Sequence, residues 1–423
     1  MGSLKKRSVL RSESLMMSHG YKPALSEGAL KPPIFVTSTW AFENVQEGRR
    51  SFELAAGLRK PENGEVPELI YSRFNHPDLQ IVEERLCLWD NAEDCAIFSS
   101  GMAAIAISLL AVTRPGDMIL FSEPLYGGTD KLIKVFLKGF GIEARGFGSE
   151  EFGFDQFPSL SLEEQKRVAV IYLETPANPT NDLFDIGYWS KISRRMSKTN
   201  NNRKVLVMVD NTFLGPLYQH PLQFDADLVI YSATKFIGGH SDLIAGAALG
   251  SKELISKIKQ VRGLIGAMSD PFTVWQILRS LETLKIRMTA QMENAKYVAA
   301  VLKKHPAVKR VNYLGYLKKG TAQYRVYKKQ CLAPGSMISF EIKGGEPAAY
   351  EFLNSLNLFK LAVSLGSTES LAQHPASMTH IGVDPADRER YGVTDGLVRL
   401  SVGIENSRDL VNDIKQALDK ASH

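Results

Sequence analysis

The chain has 423 residues, 44% of them hydrophobic and 23% charged, with 51 basic against 46 acidic side chains. That length suggests two or three domains, and the balance excludes a disordered or membrane-embedded class. A net charge of +5 over so long a chain gives no nucleic-acid footprint, and no apolar run approaches a membrane span. Cys87, Cys95 and Cys331 are odd in number and far apart. They exclude a disulfide framework and fit a reducing compartment, with the cytoplasm as the expected location. Lys5, Lys6, Arg7 and Arg11 precede no continuous apolar core, so no secretory signal is read there.

Residues 1–75 read as an extended arm. Pro32-Pro33 opens the run Ile34 to Phe42, which alternates poorly, and Leu58 to Glu68 carries the loop chemistry of Pro61, Asn63-Gly64 and Pro67. An arm that cannot bury itself is expected to pack on a neighbouring subunit. From residue 76 to 270 short apolar runs alternate with helical segments. Pro77 and Asp78 open a helix with Leu79, Val82, Leu86 and Trp89 at helical spacing. Cys95 to Phe98 precedes a helix over Gly101 to Val112, and Met118 to Phe121 precedes one over Gly128 to Leu137. Val168 to Leu173, Val205 to Val209 and Leu228 to Tyr231 continue the series. Continuous apolar strands separated by helices predict an α/β domain with a mostly parallel sheet covered on both faces. Residues 271–423 read as a smaller α+β domain. It has a long helix over Phe272 to Leu302 and alternating, half-exposed strands at Met337 to Ile342 and Leu397 to Val402. Leu410, Ile414 and Leu418 mark an amphipathic last helix.

In such sheets ligands gather beyond the carboxyl ends of the strands. Leu228 to Tyr231 delivers Ser232, Thr234 and Lys235 there, followed by Gly238 and Gly239. A lysine can form an imine with an aldehyde, and two hydroxyls beside it can bond a phosphate on the same ligand, which points to pyridoxal 5'-phosphate. Taken alone, the motif is more often a surface lysine at a strand end. Asp210 ends another strand, where it serves either as a cap or as the partner of a protonated pyridine nitrogen. Ser100, Gly101 and Met102 open a helix, a tight turn or an anion site. Tyr126 follows a strand and either packs or stacks on a ring. Arg399 interrupts an apolar alternation, where a guanidinium requires a salt bridge or a substrate carboxylate. Tyr71 and Arg73 precede the first core helix. His240 and Asp242 lack partners at metal-ligand spacing, so no metal is expected.

With these residues in view, the sequence resembles the PLP-dependent enzymes of Cys/Met metabolism, the group of cystathionine γ-synthase, cystathionine γ-lyase and methionine γ-lyase. The resemblance runs from about Ser26 to the C-terminus. It rests on Tyr71-Ser-Arg73, Ser100-Gly-Met102, Glu174-Thr-Pro-Ala-Asn-Pro179, Val209-Asp-Asn-Thr212 and Ser232-Ala-Thr-Lys235. Ser364 to His380 and Gly396 to Glu405 look most like methionine γ-lyases.

The resemblance implies the aspartate-aminotransferase-like fold type I, with a seven-stranded type of sheet. It implies that Lys235 holds pyridoxal 5'-phosphate and moves protons, and that Asp210 pairs with the ring nitrogen. Ser100, Gly101, Met102, Ser232 and Thr234 would bind the phosphate. Tyr126 would stack on the ring and assist the leaving group. Asn178 would lie at the cofactor, and with Ser364, Leu365 and Arg399 it would hold the substrate. Tyr71 and Arg73 would reach the neighbouring subunit's phosphate, making a dimer the smallest active unit of a homo-oligomer, usually a tetramer. The implied substrate is a small sulphur amino acid or a homoserine ester. The implied activity is γ-elimination of the methionine γ-lyase type. The alternatives are γ-replacement on an O-acylhomoserine, by a cystathionine γ-synthase or sulfhydrylase, and cystathionine γ- or β-lyase activity. Three departures bear on substrate choice. Gly128 stands where methionine γ-lyases carry a cysteine, Arg262 to Ser269 lacks their Lys-Asp pair, and Glu53 to Pro67 is inserted. A non-catalytic binding protein on the same fold is opposed by the intact Lys235, Asp210 and Arg399. A nicotinamide dehydrogenase is opposed by the lack of G-x-G-x-x-G after the first strand.

Overall fold

The computed structural model describes residues 10–62, 68–148, 160–200 and 203–422. Lys5, Lys6 and Arg7, and the Asn63-Gly64 and Pro67 turn signals, lie outside the described residues. A large sheet is built from β1 (Asp94–Phe98), β2 (Met118–Glu123), β3 (Glu143–Gly148), β4 (Val168–Glu174), β5 (Leu206–Asp210), β6 (Leu228–Tyr231) and β7 (Gly246–Gly250). Its seven strands run in the order β1-β7-β6-β5-β4-β2-β3. Only β7 opposes its neighbours; the remaining pairs are parallel. The alternation along β2 explains why the run reads as continuously apolar. Ile119 and Phe121 enter one core with Ile105 and Met208, while Met118 and Leu120 enter another with Ile171 and Val207. Each such side chain taken out of water is worth about 1.5–3 kcal/mol, which fixes both faces of the strand.

The second sheet is β8 (Val308–Asn312), β9 (Met337–Ile342), β10 (Lys360–Leu361), β11 (Leu371–Gln373) and β12 (Leu397–Ser401), in the order β10-β11-β12-β9-β8. The expectation of half-exposed strands fails here. Every residue of β9 and β12 is buried. Ile338, Phe340, Val398 and Leu400 face a core closed by the helices Pro271–Lys304, Gly345–Asn354 and Ser407–Lys420. The polar positions of the same alternation are covered by the large-sheet half. The Ser339 hydroxyl donates to Pro179 O, and Asn181 Nδ2 donates to Asn312 O (3.0 Å) and Met337 O (3.2 Å). Polar residues there mark a docking face.

Three further elements differ from the sequence reading. The arm contains a helix, Val45–Ala55, capped by Asn44, whose side chain accepts from Glu47 N–H. Its buried residues are Gly48 and Ser51, so no apolar stripe announces it. The segment expected as a helix over 128–137 is an α-turn Gly127–Lys131, a π-turn Leu132–Phe136 and a 3₁₀ turn Leu137–Phe140. Gly127, Gly128 and Gly139 leave the backbone free to depart from regular α geometry. Strand β7, Gly-Ala-Ala-Leu-Gly, has neither β-branched nor aromatic residues and gives no strand signal.

Small residues in β7 let the Ser100 turn sit on the sheet edge. A Cβ on Gly246 would lie 2.1 Å from Ser100 O and 2.9 Å from Gly101 Cα. Gly246→Ala should therefore destabilise the protein by roughly 1–3 kcal/mol, as overpacking does. It should also displace the Ser100–Gly101 turn. Urea unfolding reads the first effect, and an unchanged midpoint would contradict the close approach.

Candidate active site

The carboxyl ends of β1, β2, β4, β5 and β6 open on one side of the sheet, and a cavity of about 290 Å³ lies there. Ser100, Gly101, Met102, Tyr126, Asn178, Asp210, Ser232, Thr234, Lys235, Ser364, Leu365 and Arg399 all line it. Tyr71 and Arg73 are not among its lining residues. Tyr71 is 40% exposed, and Arg73 donates to Gly263 O (2.5 Å) with its guanidinium over the Phe74 ring. His240 binds its own loop at Gly238 O (2.7 Å), and no group of three metal-ligating side chains occurs among the described residues.

Lys235 follows β6, and its Nζ donates to Ser364 Oγ (2.7 Å). Burial first, and then the Arg399 guanidinium, push its amine down to about 8. Ser364 lies between β10 and β11 with φ at 98°, a backbone region that a side chain strains. That conformation lets one residue serve two cations, because its carbonyl accepts from Arg399 Nη2 (2.6 Å). Arg399 is 3% exposed, and its Nη1 donates to Asn178 Oδ1 (2.9 Å). Both partners are neutral, so the structural salt bridge considered from the sequence is not what holds this arginine. Its Nε is buried without a hydrogen-bond partner. A buried guanidinium with an unused donor in a cavity is built to receive an anion.

Asp210 ends β5 and accepts from Thr212 N–H (3.0 Å) and the Tyr172 hydroxyl (3.3 Å). It is 8% exposed and its partners are neutral, so burial raises it above the usual carboxylate range. A cation placed against it would reverse that. Glu174 is its Cα partner on β4 and lines the same cavity, yet sequence reasoning gave it no role. Burial, followed by the Asp210 charge, pushes Glu174 up to about 8. The signal was present: like Asp210, Glu174 is a charged residue closing a continuous apolar run.

The anion cup is formed by the N-terminus of the Gly101–Val112 helix. Ser100 is its N-cap, accepting from Ala103 N–H (3.0 Å), which leaves the first N–H groups of Gly101 and Met102 for a ligand. The Ser232 side chain closes the cup so tightly that a Cβ on Gly101 would lie 2.8 Å from it. Thr234 Oγ1 donates to Ala245 O (3.1 Å) and accepts from Ala245 N–H (3.0 Å), so in this structure it braces the lead into β7. Thr212, Thr379 and Phe213 also line the cavity and went unassigned in the sequence.

These groups fit pyridoxal 5'-phosphate. An amine that is partly unprotonated near neutrality suits the aldehyde, and a buried carboxylate without a cation suits a protonated ring nitrogen. Uncommitted helix N–H groups suit the phosphate. The pH dependence of the amine is a direct check. The rate at which cofactor-free protein takes pyridoxal 5'-phosphate onto Lys235 should climb with pH and level off above about 8, because only the neutral amine attacks. Stopped-flow absorbance reads it, and a rate still climbing past about 10, as for a solvated lysine, would contradict the burial argument.

Comparison with known proteins agrees with this geometry. The family profile described as Cys/Met metabolism PLP-dependent enzyme matches residues 13–419. An L-methionine gamma-lyase of Pseudomonas putida is 39% identical over 406 residues, covering 96% of each chain. A cystathionine gamma synthase of Xanthomonas oryzae pv. oryzae, solved in complex with cystathionine, superposes with a TM-score of 0.85 at 31% identity. That match covers 98% of this chain and 99% of the other. A cystathionine gamma-lyase of Lactobacillus plantarum complexed with L-serine gives 0.84 at 30% identity, covering 98% and 100%. The resemblance read from the motifs is thus borne out, and the chain belongs to the Cys/Met metabolism PLP-dependent enzyme family.

Proposed function

We propose that this chain is a PLP-dependent carbon–sulfur lyase of the methionine γ-lyase type, converting methionine and water to 2-oxobutyrate, ammonia and methanethiol. The observation that carries it is the double use of Ser364, which holds the Lys235 amine and the Arg399 guanidinium at one residue. A proton carrier and a carboxylate clamp are thereby set at a fixed separation. The substrate class follows the L-methionine gamma-lyase relative at 39% identity.

Bound pyridoxal 5'-phosphate supplies an electron sink that makes protons near the amino group removable. The protein's own residues do the rest. Lys235 Nζ holds the cofactor and carries protons from the α- and β-carbons. Asp210 keeps the ring nitrogen protonated. Gly101 and Met102 N–H groups, with Ser100 as helix cap and the Ser232 and Thr234 hydroxyls, bind the phosphate. Arg399, oriented by Asn178, takes the substrate carboxylate in a two-pronged contact. Leu365 would wall the substrate side, and Tyr126 would stack on the ring and give its phenol proton to the departing thiolate. In this reading 76–270 is the cofactor-binding part and 271–423 carries the carboxylate clamp.

A second reading, γ-replacement on an O-acylhomoserine, is favoured by one observation. A side chain at Gly128 would come within 2.6 Å of Tyr126 Cε1 and 3.1 Å of Met102 Sδ. A cysteine here would have to displace the Tyr126 ring, so the site around the leaving group differs from that of lyases with cysteine at this position.

We further infer a homo-oligomer, dimeric at least and tetrameric on the family pattern, in which Tyr71 and Arg73 serve the neighbouring subunit's phosphate. Their position outside their own pocket supports this. Location in the cytoplasm is supported by the free state of Cys87, Cys95 and Cys331. Among the described residues no helix is long and apolar enough to cross a membrane. Mixing Arg73→Ala protein with Lys235→Ala protein under subunit exchange should restore activity that neither has alone. No recovery despite exchange would remove the shared-site arrangement.

The deciding assay incubates the cofactor-loaded protein with L-methionine and measures 2-oxobutyrate and methanethiol together. Both should form, and Lys235→Ala should abolish them while leaving the fold intact. If neither forms although the cofactor spectrum still responds to amino acids, the replacement reading takes over.

A further inference from the structure

The turn that carries Tyr126 is held at a single peptide group. Leu125 C=O and Tyr126 N–H belong to one planar unit. Glu174 Oε2 accepts from Tyr126 N–H at 2.9 Å. On the other end, His380 Nε2 lies 3.2 Å from Leu125 O. A carbonyl only accepts, so Nε2 carries the proton. Nδ1 is then the acceptor for the Thr379 hydroxyl (2.9 Å), which itself accepts from Gln373 Nε2 (3.1 Å). His380 and Glu174 are 2% and 4% exposed. Burial and the nearby Arg399 push His380 down to about 4, which keeps this neutral tautomer at pH 7.

Both braces lead back to the carboxylate clamp. Glu174 Oε1 accepts from Asn178 N–H (2.8 Å), and Asn178 Oδ1 accepts from Arg399. Gln373 is the Cα partner of Arg399 across β11 and β12. The backbones are in close contact as well, since a Cβ on Gly127 would lie 2.2 Å from Thr379 O. We propose that His380 and Glu174 are positioning residues, clamping the Leu125–Tyr126 peptide so that the Tyr126 phenol stays in register with the Arg399 clamp. This deepens the proposed function, resting on Tyr126 as the group that protonates the leaving thiolate.

The chemistry suggests two variants that differ only in reach. His380→Gln places its amide nitrogen near the Nε2 position and still donates to Leu125 O. His380→Asn stops near Nδ1 and does not reach it. Hydrogen exchange by mass spectrometry, on protein without substrate, should show faster exchange over residues 123–131 in His380→Asn, with the Gly101–Val112 helix unchanged. His380→Gln should exchange like the parent. Equal exchange in all three, or equal acceleration in both variants, would overturn the proposal. In turnover, His380→Asn should lower kcat/KM by roughly 10-fold or more, because small misplacements of a reacting group act steeply. In a Tyr126→Phe background the same change should cost less than about 2-fold, the non-additivity expected when one residue acts through another. Equal losses in both backgrounds would assign His380 a merely structural role. The exchange readout needs no substrate, so failure of the γ-lyase reading, seen as silence on methionine, leaves it standing. Turnover is then read on whichever amino acid the parent accepts.

Discussion

Two cations share one buried neighbourhood, and the rest of the site answers that constraint. Lys235 and Arg399 meet at Ser364, one on its hydroxyl and the other on its carbonyl. In a low-dielectric pocket like charges repel strongly, and each is deprived of water. The lysine responds by surrendering its proton more readily, which is the state in which it can react. The arginine stays charged and is left needing an anion. Ser364 holds both from a backbone at a positive φ of 98°. Strain there is stored where two functions meet.

The large sheet makes this neighbourhood reachable from five strand ends, and β7 makes it narrow. As the one strand opposing its neighbours, β7 brings the Ile244 to Gly246 entry, rather than a carboxyl end, beside the Ser100 turn. Glycine and alanine there admit backbone against backbone. The second sheet closes the cavity from the other side. Its polar face is docked through Ser339 and Asn181, so β9, the strand on which Ser339 pairs with Arg399 of β12, is placed by buried hydrogen bonds to the 177–183 loop. Burial of such groups is tolerated only when they are paired, and that makes the docking geometry specific.

How much of this was legible follows from how each residue signals. Apolar runs covered on both faces, such as Val168 to Leu173, announce strands by composition alone, and the ligand-side positions of Ser232, Lys235 and Asp210 follow from strand polarity. The Gly101–Val112 helix begins and ends where its small N-terminal residues and apolar length say. Elements packed through small residues give no such signal. The Val45–Ala55 helix buries glycine and serine, and β7 is all small residues and one leucine. Alternating Met337 to Ile342 was legible as a strand but not as a buried one, because alternation reports two unlike faces without saying what covers the polar one. Glu174 showed its place at the end of an apolar run but not its partners, for a related reason. A carboxylate that accepts from two backbone N–H groups has no partner side chain that spacing could reveal.

The same hydrogen bonds bear on what could set substrate choice in the cavity that Tyr126 shares with Lys235. In the roles proposed above, Lys235, Asp210 and Arg399 would serve any amino acid that binds in this site, so they would not separate elimination from replacement. What differs is the placement of the phenol and what surrounds the departing group. Tyr126 sits on a turn whose ring side is glycine at 128 and whose backbone is gripped by Glu174 and His380. With no side chain at 128, the Tyr126 ring and the Met102 sulfur fill the space that one would need, an apolar wall beside the phenol. A thioether suits that wall, since it departs as a soft thiolate needing one proton and little hydration. The geometry at Gly128 thus weighs against a cysteine without weighing against a sulfur-containing substrate, and the two arguments act on separate atoms of the same site.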